Sequence, residues 1–201
     1  MPQVQVLRDV LDHDAYAVVV KENALEQALA NLKSKPTLVI TDSQAFEKVF
    51  KIVPEDIPVT SFSIVYARFK GDLAELVRGA KAIANLADND RVLIAEACSH
   101  HPVEDDIGRV KIPKWLADYT KRNLDIKVVA GRDYPDDLSS YKLIIHCGGC
   151  VFNRRELLAR IGKAKQAGVP ITNYGLAIAF LHRRLDRALR PFERFLCNQC
   201  G

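Results

Sequence analysis

Short hydrophobic runs alternate with amphipathic segments along almost the whole chain. The runs predict strands at 16–20, 37–40, 59–64, 91–96, 126–130, 141–146 and 169–172. Helical periodicity predicts helices at 2–11, 23–33, 43–50, 72–86, 114–122, 154–167 and 176–189. Runs that are apolar throughout are typical of parallel strands covered on both faces. The alternation therefore predicts two consecutive α/β domains, each with a mostly parallel sheet flanked by helices.

A polar break divides the two series of strands and helices. Ala87-Asp88-Asn89-Asp90 follows a predicted helix and precedes the apolar run at 91–96. We place the domain boundary there, with a first domain at 1–88 and a second at 89–201. Pro191 is expected to end regular structure, which leaves Cys197 and Cys200 in a tail.

Composition fits a protein that folds around a hydrophobic core in water. The chain has 201 residues, of which 48% are hydrophobic and 27% charged, with a net charge of +4. Lysine and arginine are spread along the sequence, so no nucleic-acid partner is expected. No apolar run approaches the roughly 20 residues that span a bilayer, so no membrane partner is expected either. Charged residues interrupt the first twenty positions, where a secretory signal would lie. We therefore expect a cytoplasmic protein.

Cysteine and histidine cluster at the ends of two predicted strands. Three of the five cysteines and three of the five histidines lie there, namely Cys98, His100 and His101 after the first and His146, Cys147 and Cys150 at the end of the second. Ligands of open parallel sheets bind beyond the carboxyl ends of the strands, which meet at one edge. Asn173-Tyr174-Gly175 is predicted at the same edge. In a reducing compartment such clustering favours metal or redox chemistry over structural disulfides.

The residues alone leave several kinds of thiol chemistry open. Soft thiolates bind both iron–sulfur clusters and zinc. Three cysteines on a 4Fe–4S cluster would leave one iron with an exchangeable ligand, and His100 and His146 are candidates for the fourth ligand or for neighbouring positions. A zinc site with three cysteines and one histidine is an alternative. Two further alternatives are a zinc-stabilised interaction module that also uses the tail cysteines, and a thiol oxidoreductase that uses Cys147 and Cys150.

The stretches around these residues resemble one known family. The Cys98-x-His100 and His146-Cys147-x-x-Cys150 patterns are similar to the signature of the FeFe-hydrogenase maturation factor HydF. The surrounding sequence also resembles that family, chiefly at 39–46, 96–102, 105–113, 145–150, 153–156 and 168–175. The resemblance covers almost the whole chain to about residue 189.

The resemblance implies a scaffold and not an enzyme. It implies that Cys98, Cys147 and Cys150 hold a 4Fe–4S cluster whose fourth ligand is exchangeable, with His100 and His146 matching motif histidines. It further implies a dimerisation domain at 1–88 and an iron–sulfur cluster-binding domain at 89–201. Such a protein takes part in assembling and delivering the two-iron subcluster of FeFe-hydrogenase. Its partners would be a second copy, apo FeFe-hydrogenase and radical-SAM maturases. The family's GTPase domain is missing from this sequence, so no GTP binding is expected.

Overall fold

A computed structural model describes residues 2–97, 106–131, 133–149 and 151–197 of the chain. In these ranges the helices are α1 Pro2–Asp12, α2 Leu25–Ala30, α3 Phe46–Ile52, α4 Phe62–Lys70, α5 Leu73–Ala82, α6 Ile112–Thr120, α7 Arg154–Gln166, α8 Tyr174–Leu181, α9 Leu185–Leu189 and α10 Glu193–Cys197. The strands are β1 Val39–Thr41, β2 Val59–Ser61, β3 Arg91–Glu96, β4 Asp125–Ala130, β5 Leu143–His146 and β6 Ile171–Asn173. None of these helices is both long enough and apolar enough to cross a membrane.

All pairings between the described strands are parallel. β1 pairs with β2, and the other four strands form a sheet in the order β4-β3-β5-β6. Helices flank both sheets, which confirms the predicted fold class. From β3 the chain moves to β4 on one side, and then returns to place β5 and β6 on the other side. The direction of winding therefore reverses between β3 and β5. In doubly wound sheets this reversal opens a crevice at the carboxyl ends of the two strands.

Asparagine side chains begin two helices of the second sheet. Asn153 Oδ1 accepts a hydrogen bond from the Glu156 N–H at 2.9 Å and so forms the N-cap of α7. Asn173 ends β6 and caps α8 in the same way, with its Oδ1 2.9 Å from the Leu176 nitrogen. Its amide nitrogen also donates to the Ser63 carbonyl oxygen at 3.1 Å. The carboxyl edge of the large sheet is thereby tied to α4.

One continuous hydrophobic core serves both sheets. It contains buried side chains from every part of the chain, from Leu25 to Leu189. α5 lies so close to β6 that a Cβ added to Gly79 would be 1.9 Å from the Ile171 carbonyl oxygen. The buried Arg187 of α9 donates to the carbonyl oxygens of Phe50, Val53 and Pro54, just before β2. These contacts join the small sheet to the helices of the large one.

The strand predicted at 16–20 is wrong. This run belongs to neither sheet, and its large side chains are exposed. Hydrophobicity predicts that a segment will be covered, but it does not name the partner strand, and the described chain offers none. An exposed apolar run of this kind marks an interaction site.

Three other expectations differ from the structure at helix boundaries. The strand predicted at 59–64 ends at Ser61, whose Oγ accepts the Ile64 N–H at 3.3 Å and starts α4. The helix predicted at 176–189 is interrupted between α8 and α9, where Arg183 has a φ of +56°. Pro191 does not end regular structure, because it lies in a 3₁₀ turn that leads into α10, and proline is tolerated in a first turn.

Candidate metal centre

The crevice between β3 and β5 contains the thiol of Cys147. Ala95 of β3 is paired with His146 of β5, and the Cys147 N–H donates to the Ala95 carbonyl oxygen at 2.8 Å. The Ala97 N–H in turn donates to Cys147 Sγ at 2.9 Å. Ala97 directly precedes Cys98 in the sequence. The two strand ends that the cysteine pattern singled out therefore meet at one point, whereas Cys98, His100, His101 and Cys150 themselves lie outside the described residues.

The loop after β5 needs glycine for its backbone conformation. Gly149 has a φ of +61°, which side chains with a Cβ rarely adopt. A Cβ there would find ordinary contacts only, the nearest at 3.7 Å, so steric space is not the reason. The Gly149 carbonyl oxygen accepts the Phe152 N–H at 3.0 Å.

His146 holds this loop through both ring nitrogens. The side chain is 1% exposed, with Nδ1 2.7 Å from the Cys147 carbonyl oxygen and Nε2 3.1 Å from an Arg160 nitrogen. Arginine can only donate, so Nε2 accepts and Nδ1 carries the proton that is donated to Cys147. Burial, with a smaller contribution from Arg160, lowers the pKa of His146 to about 4, although its backbone hydrogen bond opposes the shift. Of its two predicted roles, this geometry fits a neighbouring residue that orients Cys147.

Arg160 brings a positive charge to the inner side of the loop. Its guanidinium carbon lies 4.5 Å from the centre of the Tyr134 ring and 4.4 Å from that of Phe152. It also donates to the Gly131 carbonyl oxygen at 2.9 Å. Burial lowers the pKa of Arg160, but a guanidinium stays protonated in proteins. The charge therefore favours a thiolate at Cys147.

An ion pair between the buried Glu96 and the exposed Arg109 forms the opposite side of the crevice. Glu96, at the end of β3, is 2% exposed and accepts from Arg109 Nη2 at 2.9 Å and from Nε at 3.4 Å. The hydrogen bond to Glu96 raises the pKa of Arg109. Asp106 accepts the Arg109 N–H at 2.9 Å and begins the π-helical turn Ile107–Lys111. The turn is thus fixed against the end of β3, close to the chain that leads to and from Cys98.

Tyr174 follows β6 and directs a buried hydroxyl to the same edge. Among the described residues its oxygen has no hydrogen-bond partner. Burial raises the pKa of the phenol, and the negative charges of Cys147, Glu96 and Asp106 raise it further. A Cβ on Gly108 would lie 2.1 Å from this oxygen, so the close approach of the π-helical turn requires glycine there.

Sequence reasoning placed Tyr174 at this edge but missed both arginines. Arg109 lies in a stretch that resembles the family, so the sequence drew attention to that stretch. It did not indicate the role of Arg109 itself. Arg160 lies within a helix rich in basic residues, and nothing in the sequence separates it from the exposed lysines around it. Only the packing of α7 against the strand ends shows that it contacts His146.

The described donor set fits a thiolate-held metal group. In the described ranges no three histidine, cysteine or acidic side chains form a metal site, but two of the three predicted cysteine ligands fall outside those ranges. What is described is a thiol that accepts a backbone N–H, lies near a half-buried guanidinium and directly precedes the loop that needs glycine. Backbone donors and nearby cations are features that stabilise metal-bound thiolates.

The fold and the site together define a doubly wound α/β protein with a thiol centre at its topological switch point. Residues 1–71 match the family model described as the hydrogen maturase F dimerization domain, and residues 74–191 match that of the hydrogen maturase F tetramerization domain. The chain belongs to the hydrogen maturase F family, which confirms the resemblance seen in the sequence. A search of curated proteins gave no match.

The family assignment supports a role in hydrogenase maturation. The matched domains are of the scaffold type, and they support association of the chain with copies of itself. The two matches meet between residues 71 and 74, so α5 falls within the second of them. The boundary between 88 and 89 stays a prediction, because a family match does not by itself delimit a folding unit.

Proposed function

We propose that this chain is a non-catalytic scaffold that binds a 4Fe–4S cluster through Cys98, Cys147 and Cys150. In this proposal it takes part in assembling and delivering the two-iron subcluster of FeFe-hydrogenase. The observation that carries the proposal is the 2.9 Å hydrogen bond from the Ala97 N–H to Cys147 Sγ, since it joins the two cysteine-bearing strand ends. Membership of the hydrogen maturase F family supports the proposal that the unit carried is the two-iron subcluster.

The residues of the site have distinct tasks in this proposal. The three cysteines are the cluster ligands, and His146 with Arg160 orients the loop that carries Cys147. His100 stays a candidate for the fourth ligand. The cluster would supply an iron with an exchangeable coordination position, which is what a carrier of a second metal unit needs. The chain itself transforms no substrate, and we expect it to bind no GTP.

Anaerobic reconstitution with iron and sulfide tests the cluster. We expect about four iron atoms per chain and the EPR signal of a reduced 4Fe–4S cluster in the unchanged protein. Cys98→Ser, Cys147→Ser and Cys150→Ser should each lose or destabilise the cluster, because each removes a ligand. Cys197→Ser is the matched control, since this exposed cysteine lies at the end of α10 and outside the crevice residues.

Two results would contradict the cluster assignment. Full iron and sulfide content in all three ligand variants would show that these cysteines do not hold the cluster. One tightly bound zinc per chain with no cluster uptake, lost in Cys197→Ser, would instead support a zinc-stabilised interaction module. A reversible Cys147–Cys150 disulfide with activity in the absence of metal would support the oxidoreductase.

The proposed partners follow from the same role. The chain associates with copies of itself, and we assign the dimer contact to the exposed run at 16–20, within the match to the dimerization domain. Its β-branched and aromatic residues suit pairing with an unpaired strand of a second copy. Apo FeFe-hydrogenase and the radical-SAM maturases are the proposed heterologous partners. The cytoplasm is the proposed location, with neither nucleic acid nor membrane as a partner.

A further inference from the structure

We propose that the Tyr174 hydroxyl donates a hydrogen bond to the metal-bound group held at Cys147, and so acts as a positioning residue of the cluster site. The inference rests on the proposed function and adds to it a group that is neither a cysteine nor a histidine. It starts from the buried hydroxyl oxygen of Tyr174, which has no hydrogen-bond partner among the described residues.

The backbone of Tyr174 is fixed from both sides. Asn173 caps α8 and binds the Ser63 carbonyl oxygen, as described above. On the other side, a Cβ added to Gly175 would lie 2.3 Å from Ser63 Cβ and 3.0 Å from Ser43 Oγ. The backbone of Tyr174 therefore lies where three elements are in close contact. From this fixed position the side chain reaches a place where its hydroxyl oxygen is buried.

A buried hydroxyl that lacks a hydrogen-bond partner destabilises the folded state. The nearby carboxylates are already engaged, because Glu96 binds Arg109 through both oxygens and Asp106 caps the π-helical turn. Among the described residues neither carboxylate forms a hydrogen bond with the phenol. An acceptor that arrives with the bound group would satisfy the hydroxyl.

The charge distribution indicates where that acceptor would lie. After burial itself, the charge of Cys147 is the largest influence on the Tyr174 phenol. The contacts agree with this: the position of a Cβ on Gly108 is 2.1 Å from the Tyr174 oxygen and 3.2 Å from Glu96 Oε1, at the end of β3. Ala97 follows Glu96 and donates its N–H to Cys147 Sγ, so the hydroxyl and the thiol lie at the same strand end. Sulfides and thiolates of an iron–sulfur cluster are hydrogen-bond acceptors, and hydrogen bonds to them help to set its reduction potential. Tyr174 thus lies where it can act on the electronic state of the cluster without being a ligand.

A second tyrosine at the same sheet edge supplies the matched control. The Tyr134 hydroxyl is also buried and lacks a hydrogen-bond partner among the described residues. Its pKa is raised to about 12 by burial, while the charge that acts on it is that of Arg160 and not that of Cys147. Tyr134→Phe therefore removes the same atom from a buried position on which the charge of Cys147 is not among the influences.

The experiment compares reconstituted Tyr174→Phe with Tyr134→Phe and the unchanged protein. Both variants should retain about four iron atoms per chain. In Tyr174→Phe the reduction potential, measured by EPR-monitored titration, should become more negative, because a hydrogen bond that stabilises the more negative reduced cluster is lost. An exchangeable proton coupled to the reduced cluster, identified by ENDOR in H₂O and D₂O, should disappear in Tyr174→Phe. Tyr134→Phe should change neither quantity.

An unchanged potential together with a retained proton coupling in Tyr174→Phe would overturn the inference. If Tyr174→Phe does not fold or assemble a cluster, the unchanged protein alone decides: absence of an exchangeable phenolic proton coupling refutes the hydrogen bond. Failure of the proposed function looks different, because the unchanged protein would then take up no cluster. In that case the inference fails together with it.

Discussion

His146 and Glu96 illustrate how the same type of partner can produce different electrostatics at neighbouring strand ends. Arg109 pairs with a carboxylate, so the two charges at Glu96 largely cancel. Among the described residues Arg160 donates to neutral acceptors, namely the His146 ring and the Gly131 carbonyl oxygen. The charge of Glu156 on the same helix offsets only part of its charge, which also acts on Cys147. The crevice is thus asymmetric, with a neutralised side at β3 and a cationic side at β5, which suits an anionic cluster held between them.

His182 should make stability depend on pH. Its ring lies edge to face against Trp115, with 5.0 Å between the ring centres, and burial lowers its pKa although the charge of Glu47 opposes the shift. The unfolded chain, with a histidine pKa of about 6.5, then binds more protons than the native state as the pH falls. The stability contributed by neutral His182 should therefore be complete above that pH and decrease below it.

Urea unfolding at pH 7 and pH 5 checks this expectation. His182→Gln should lose less free energy of unfolding between the two values than the unchanged protein does. The other charged groups around the ring are Glu47 and the cleft residues Asp118, Lys121 and Arg183, and they are common to both proteins. An equal loss in both would show that the histidine titrates alike in the folded and unfolded chain.

At the level of elements, two glycines in helices should respond to alanine with opposite signs. Gly79 lies where α5 meets β6, and an added Cβ would be 1.9 Å from the Ile171 carbonyl oxygen. Because that atom belongs to the backbone of a buried strand, Gly79→Ala should destabilise the protein by roughly 1–3 kcal/mol. Thermal or denaturant unfolding of the variant measures this loss.

Gly162 in α7 is the control for the glycine effect itself. A Cβ there meets nothing within 4 Å, so Gly162→Ala should stabilise by about 0.5–1 kcal/mol through helix propensity alone. A gain in both variants would mean that α5 can move away from β6 at little cost. The close contact between α5 and β6 would then not fix the edge of the sheet.

The sequence predicted the helices and strands of residues 89–201 better than those of residues 1–88. β3 and β5 were predictable because buried parallel strands are apolar throughout, and the cysteines at their ends followed from the topology of such sheets. α4 was missed because its apolar residues continue directly from β2, and only the Ser61 cap marks the change. Arg160 could not be found, since its role depends on the distance between α7 and a strand remote in sequence.

At the level of the whole molecule, the exposed run at 16–20 should determine self-association. Val19 is 70% exposed and belongs to the segment that we assign to the dimer contact. Val19→Lys should weaken association by roughly tenfold or more, because a lysine would have to be desolvated in the contact. Sedimentation analysis over a concentration series measures the change, and unfolding measurements should show unaltered stability.

Val4→Lys makes the same chemical change on α1, at a valine that is 62% exposed. It should leave association nearly unaltered. If the two variants associate equally, whether strongly or weakly, the contact does not depend specifically on the 16–20 segment.

The shared core also limits how far this protein can be divided. The two family matches end and begin within three residues of each other, yet α4 of the first match packs against α8 of the second, and Arg187 in the second match donates to the Val53 carbonyl oxygen in the first. A chain cut between the matches would leave apolar surface uncovered on both pieces. If the part that matches the dimerization domain were exchanged between relatives, the buried residues that pack against it would have to be exchanged as well. The smallest part that can be exchanged is therefore larger than either matched domain.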